Sequence, residues 1–149
     1  MSACASSPEN EQKKRGDLSK VFKAPYETVW RATQQALLNY PMNVNNMDTG
    51  QLQTLYITGR HRFKAPHKKE QILPGGYQYR LNITIVKGKT RSKVIVAKQV
   101  RLQKDFFSDP QELRTDGFEE KALLYRIHRE ILIEKMLKRQ MENTKKKSS

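Results

Sequence analysis

The sequence predicts an α+β fold in which an antiparallel sheet of four to five strands packs against an N-terminal and a C-terminal helix. Three observations carry this. Between Tyr77 and Lys104 two alternating runs meet across a short basic turn. From Pro25 to Pro41, and again from about Phe118 to Met141, apolar residues recur at helical steps. Most joins between the strand candidates are short, which favours antiparallel pairing.

The two central runs have a period of two. Tyr77, Tyr79, Leu81, Ile83 and Ile85 fall on one face, against Gln78, Arg80, Asn82 and Thr84. In the second run Val94, Val96, Val100 and Leu102 share a face, with Lys98 the discordant member, against Ile95, Ala97, Gln99, Arg101 and Gln103. Such alternation of β-branched and aromatic residues marks strands with one buried and one wet face. Lys87 to Ser92, with Gly88 inside it, joins them as a hairpin loop. Because Tyr77 and Tyr79 share the face of Leu81 and Ile83, burial is expected of both, rather than stacking on bases.

A chain of 149 residues suits one domain with a real core. The expected division is a flexible or lipidated linker over 1–17, a single domain over 18–142 and a basic disordered tail over 143–149. Leu18 to Lys23 reads as an edge strand guarded by Lys20 and Lys23. Pro25 suits the first helical position, Glu27 favours the helix dipole, and Tyr26, Val29, Trp30, Thr33, Leu37 and Tyr40 form one stripe. Met42 to Asp48 is a strand candidate that ends at Gly50, a residue suited to a left-handed turn. Leu52 to Arg60 alternates, with Leu52, Thr54, Tyr56 and Thr58 on one face and Leu55 and Ile57 on the other.

Beyond the hairpin, Ser108-Asp109-Pro110-Gln111-Glu112 carries a helix-start pattern and reads as one short turn. The last helix enters through Thr115-Asp116, either of which is a capping residue. Its apolar residues form two rows. Phe118, Ala122, Tyr125, Leu132 and Met136 lie on one side, and Leu123, Leu124, Ile127 and Ile131 lie nearly opposite. A helix apolar on two sides needs two covers. One row belongs to the core; Leu123, Leu124, Ile127 and Ile131 are assigned to a protein partner or a second copy, with the segment from Lys104 to Gly117 as the other possible cover.

A net charge of +14 points to an anionic partner: nucleic acid, a membrane surface or an acidic wall polymer. The long join from Arg60 to Gly76 has no period, and its Arg60, Arg62, Lys64, Lys68 and Lys69 are the candidate contacts to such a surface. No catalytic residue, metal site or cofactor is expected. His61, His67 and His128 lack metal-ligand spacing, Glu119-Glu120 is accounted for by the dipole of the helix it opens, and Gly75-Gly76 lacks the context of a phosphate loop. No apolar run approaches the roughly 20 residues of a transmembrane helix.

The opening Met1-Ser2-Ala3-Cys4-Ala5-Ser6-Ser7-Pro8 sets small residues around the single cysteine. This is similar to the lipobox of a bacterial lipoprotein, with Cys4 as the lipidated residue; an ordinary chain start with an incidental cysteine is the alternative. Val-Phe-Lys-Ala-Pro-Tyr-Glu-Thr-Val-Trp over 21–30 and Glu-Glu-Lys-Ala-Leu-Leu-Tyr-Arg-Ile over 119–127 resemble bacterial envelope lipoproteins with a BamC-like helix-grip domain. The resemblance spans most of 18–137 and differs from BamC in having one domain and a high positive charge. It implies a sheet gripping a helix and a lipid anchor at Cys4 on the periplasmic face of the outer membrane. It also implies a non-enzymatic role as scaffold or adaptor in an envelope complex, or as a homo-oligomer, on anionic lipid or cell-wall polymer. The alternative is a basic nucleic-acid-binding module.

Overall fold

The computed structural model describes residues 17–58, 66 and 76–148. Its order is β1 (Leu18–Phe22), α1 (Tyr26–Ala36), β2 (Met42–Asn46), β3 (Gln51–Thr54), β4 (Ile57–Thr58), β5 (Tyr77–Lys87), β6 (Ser92–Leu102), β7 (Gln111–Leu113) and α2 (Phe118–Lys147). The α+β class holds: an open antiparallel sheet with one helix near each end of the chain.

The sheet is built on the β5–β6 hairpin, whose two strands of 11 residues pair along their full length. Each has a free edge long enough for two short strands. Along β6, β1 covers 92–96 and β7 covers 100–102; along β5, β3 covers 82–84 and β4 covers 78–79. The described sheet thus has seven strands rather than four or five, because both edges of the hairpin are tiled in pieces. The segment 111–113, expected as a helical turn, is strand β7, since pairing with 100–102 outweighs the local helix-start pattern.

The join between β3 and β4 is a bulge with a consequence. Gln53 faces Asn82 and Ile57 faces Tyr79, so this side advances four residues while β5 retraces three. One extra residue flips every later side chain to the other face. Ile57 is therefore buried and Tyr56 points outward, the reverse of the expected alternation. Thr54 seals the gap: its hydroxyl accepts the Leu81 N–H at 3.0 Å and donates to the Leu55 carbonyl at 2.9 Å.

Both helices lie on the inner face. Tyr79, Leu81, Ile83, Ile85, Val94, Val96 and Val100 meet Val29 and Trp30 of α1 and Ile127 and Ile131 of α2 in one core. Each such side chain stabilises by about 1.5–3 kcal/mol. In α1, Val29, Trp30, Thr33 and Leu37 of the expected stripe are buried, and Tyr26 and Tyr40 are packed at its ends. Gly50, at φ 69°, makes the expected left-handed turn; a side chain there would collide with the Ile85 carbonyl oxygen.

Helix α2 starts at Phe118 as expected, but its N-cap is Gly117 rather than Thr115 or Asp116, and it extends beyond the expected end near Met141. It begins after Gly117 at φ 78°, with the Thr115 hydroxyl accepting from the Gly117 N–H and the Asp116 carboxylate from the Phe118 N–H. It runs on to Lys147, so 143–147 is helix rather than disordered tail. Lys145, Lys146 and Lys147 occupy the last turn, where the helix dipole favours cations. No described helix is long and apolar enough to cross a membrane.

Candidate interaction site

The N-terminal end of α2 is fixed by a buried polar cluster. Lys98, the residue that broke the alternation of β6, points inward opposite Leu81. Its ammonium lies 3.0 Å from Glu119 Oε2 and 4.5 Å from the centre of the Tyr79 ring, in a cation–π contact. The other Glu119 oxygen accepts from the Tyr40 hydroxyl at 2.9 Å and the Tyr79 hydroxyl at 3.0 Å. Glu119 is 1% exposed. Burial, then the charge and hydrogen bond of Glu119, raise the Tyr40 pKa, against the pull of Arg126, so the phenol stays a donor. The expectation that Glu119-Glu120 serves only the helix dipole is thereby corrected. These acids are internal, and Glu119 ties α2 to β5, β6 and the loop after α1.

Glu120 is fully buried, and neither carboxyl oxygen has an aligned hydrogen-bond partner. Burial raises its pKa, and the Glu119 charge adds to the rise; its own backbone, the Thr115 hydroxyl and Lys98 pull it back. Between the ordinary and the raised pKa the folded chain holds a proton that the unfolded chain has released. Stability therefore falls as pH rises through that window, and the contribution is fully present below it. Glu120→Gln is expected to gain about 1–3 kcal/mol above the window and to converge with wild type toward about pH 4. Denaturant titrations across pH check this; parallel curves for the two proteins would refute it.

Anchored in this way, α2 presents its two apolar rows differently from expectation. Leu123, Leu124, Ile127 and Ile131 are buried against α1 and the sheet. Their assignment to a partner is corrected: with Glu119 held inward, residues four, five, eight and twelve positions on from it turn to the same side of the helix. The exposed row is the other one, with Phe118, Tyr125 at 67%, Leu132 and Met136 at 60%. Ile133, at the edge of this row, and Leu137 and Met141 farther round the helix are exposed as well. Near the last core residue, Ile131, Arg31 of α1 bonds to Glu134 at 2.6 Å, Lys138 meets the same oxygen at 3.0 Å, and the Lys135 ammonium donates to the Lys23 carbonyl at 3.1 Å. The Arg31 hydrogen bond holds the Glu134 carboxyl below its ordinary pKa. Past Glu134 every residue of α2 is exposed, about three and a half turns from Lys135 to Lys147 at 3.6 residues per turn.

Arg60, Arg62, Lys64, Lys68 and Lys69 lie outside the described residues, as do Cys4, His61 and His67. His128 packs beside Phe22, with ring centres 6.0 Å apart. Tyr79 is buried as expected, and Tyr77 is partly buried against the core. Among the described residues no cluster of three potential metal ligands occurs. Sequence reasoning missed the Glu119 cluster, although Lys98 on an apolar face was its visible signal.

No family model matches the chain, and no curated protein matches it. Among solved structures, a DUF4468 family protein from Bacteroides ovatus ATCC 8483 is 10% identical, with 81% of each chain covered and a TM-score of 0.37. An uncharacterised protein from Bacillus thuringiensis is 13% identical over 78% of this chain and 91% of that one, with a TM-score of 0.34.

Proposed function

We propose that the chain is a non-enzymatic lipoprotein, held by a lipidated Cys4 at the periplasmic face of the outer membrane, that serves as a scaffold or adaptor subunit of an envelope protein complex. The observation that carries this reading is the exposed apolar row of α2, Phe118, Tyr125, Leu132 and Met136, on a helix whose other side is fixed in the core. A rigid helix face with aromatic and methionine side chains is suited to an amphipathic helix of a partner subunit. Lys121, Arg129 and Arg139, on or beside this row, would steer an acidic partner into register. A second copy of this chain is the other occupant to be tested.

The anchor is tested in the full chain expressed behind a lipoprotein signal peptide. Cys4→Ala is expected to leave the membrane fraction, because several acyl chains at about 0.8 kcal/mol per buried methylene dominate attachment. Retention of the variant in the outer membrane of cells lacking its partners would count against the anchor. The nucleic-acid alternative loses one of its supports, since Tyr79 is buried and bonded to Glu119.

A further inference from the structure

The outer face of the sheet, away from both helices, carries an arginine pair that no helix-facing role accounts for. Arg101 lies with its guanidinium carbon 3.4 Å from the centre of the outward-turned Tyr56 ring, and Arg80 lies 4.8 Å from the same centre. Each guanidinium is held by a glutamine on the neighbouring strand. Arg80 Nε donates to Gln99 Oε1 at 2.6 Å, and Arg101 Nε donates to Gln78 Oε1 at 2.9 Å. Among the described residues no carboxylate lies within ion-pair distance of either side chain, and the terminal nitrogens are donors suited to an anionic acceptor. Two fixed like charges beside one ring form a ready site for an oxyanion, which guanidinium forks bind in bidentate fashion.

A second feature stands at the same end of the sheet. Arg101 is the penultimate residue of β6, and the turn that follows bears Phe106 at 90% and Phe107 at 97% exposure. The turn is built: Asp105 Oδ1 accepts the backbone N–H groups of Phe107 at 3.0 Å and Ser108 at 2.7 Å. The two rings meet edge to face, 5.8 Å apart, and form a convex apolar tip rather than a collapsed one.

We propose that this end of the domain docks on an anionic phospholipid surface, with Arg80 and Arg101 on headgroup phosphates and Phe106 and Phe107 entering the boundary with the acyl chains. Three observations select that occupant. The arginines lie side by side on the outward face of two paired strands, an arrangement suited to a surface that presents many phosphates. The Tyr56 ring is already covered by guanidinium, so it offers no platform for a base stacked beside the arginines. A protruding aromatic pair on a chain of net charge +14 combines the two terms of interfacial binding, apolar insertion and attraction to anionic lipid. The proposal does not depend on the lipid anchor or on the α2 face.

The test uses the full chain carrying Cys4→Ala, unlipidated, in flotation with vesicles of equal parts phosphatidylglycerol and phosphatidylethanolamine, and with pure phosphatidylcholine. Binding to the anionic vesicles alone is expected, and it should fade toward 1 M salt as the Debye length falls to about 3 Å. Phe106→Ser with Phe107→Ser, and separately Arg80→Gln with Arg101→Gln, are each expected to weaken it by about tenfold or more. The phenylalanine pair should leave the thermal melt unchanged, so it decides alone if the arginine variant melts early. Equal binding to both vesicle types, or wild-type affinity in the phenylalanine variant or in a folded arginine variant, overturns the proposal. So does tighter arginine-dependent binding to a single-stranded oligonucleotide than to the vesicles. Because Cys4 is already replaced, a failed anchor in cells leaves this result untouched.

Discussion

Lys98→Ala is expected to destabilise the domain by about 3–5 kcal/mol, because it leaves Glu119 buried without its cation. The two tyrosine hydroxyls would still solvate one oxygen, but Glu120, buried alongside, would then face an uncompensated neighbour. For a chain of this size the melting temperature should fall by roughly 10–15 °C. The cause is separable from lost packing. Adding Glu119→Gln to the Lys98→Ala background should recover most of the loss, since an amide oxygen still accepts from Tyr40 and Tyr79 and position 119 no longer carries a charge that needs a partner. A single variant that melts within a few degrees of wild type, or a double variant no better than the single, would show that the ion pair does not anchor α2.

The two faces of α2 predict opposite outcomes for the same chemical change. Ile127→Asp with Ile131→Asp places two unpaired carboxylates at positions 0% and 2% exposed, and should cost at least about 5 kcal/mol, enough to unfold a domain of ordinary stability. Tyr125→Asp with Leu132→Asp alters the exposed row, and the melt should stay within about 0.5 kcal/mol of wild type. If the exposed row is the docking face, that second variant should also lose the partner in a pull-down from envelope extracts, or lose self-association in sedimentation if the occupant is a second copy. A folded Tyr125→Asp, Leu132→Asp protein that keeps every wild-type association would remove the face from the adaptor reading.

What the residues determined by themselves is the local periodicity: the long hairpin, the α1 stripe ending near Pro41, the left-handed turn at Gly50 and the presence of a two-sided last helix. Each depends on neighbours within a few positions, where steric preference and the alternation of apolar side chains suffice. What only the tertiary structure decided is which neighbour each surface meets. The β3–β4 bulge exchanged Tyr56 for Ile57 on the inner face because pairing to β5 set the count of residues, and no local propensity records that count. The strand at 111–113 formed because β6 offered it an unpaired edge. The orientation of α2 was decided by Glu119, whose side chain reads as an ordinary first-turn acid until Lys98, Tyr40 and Tyr79 are brought to it from three other parts of the chain. A buried charge needs its partners close, and their sequence separations of 21, 40 and 79 residues hide a pairing that folding places within about 3 Å.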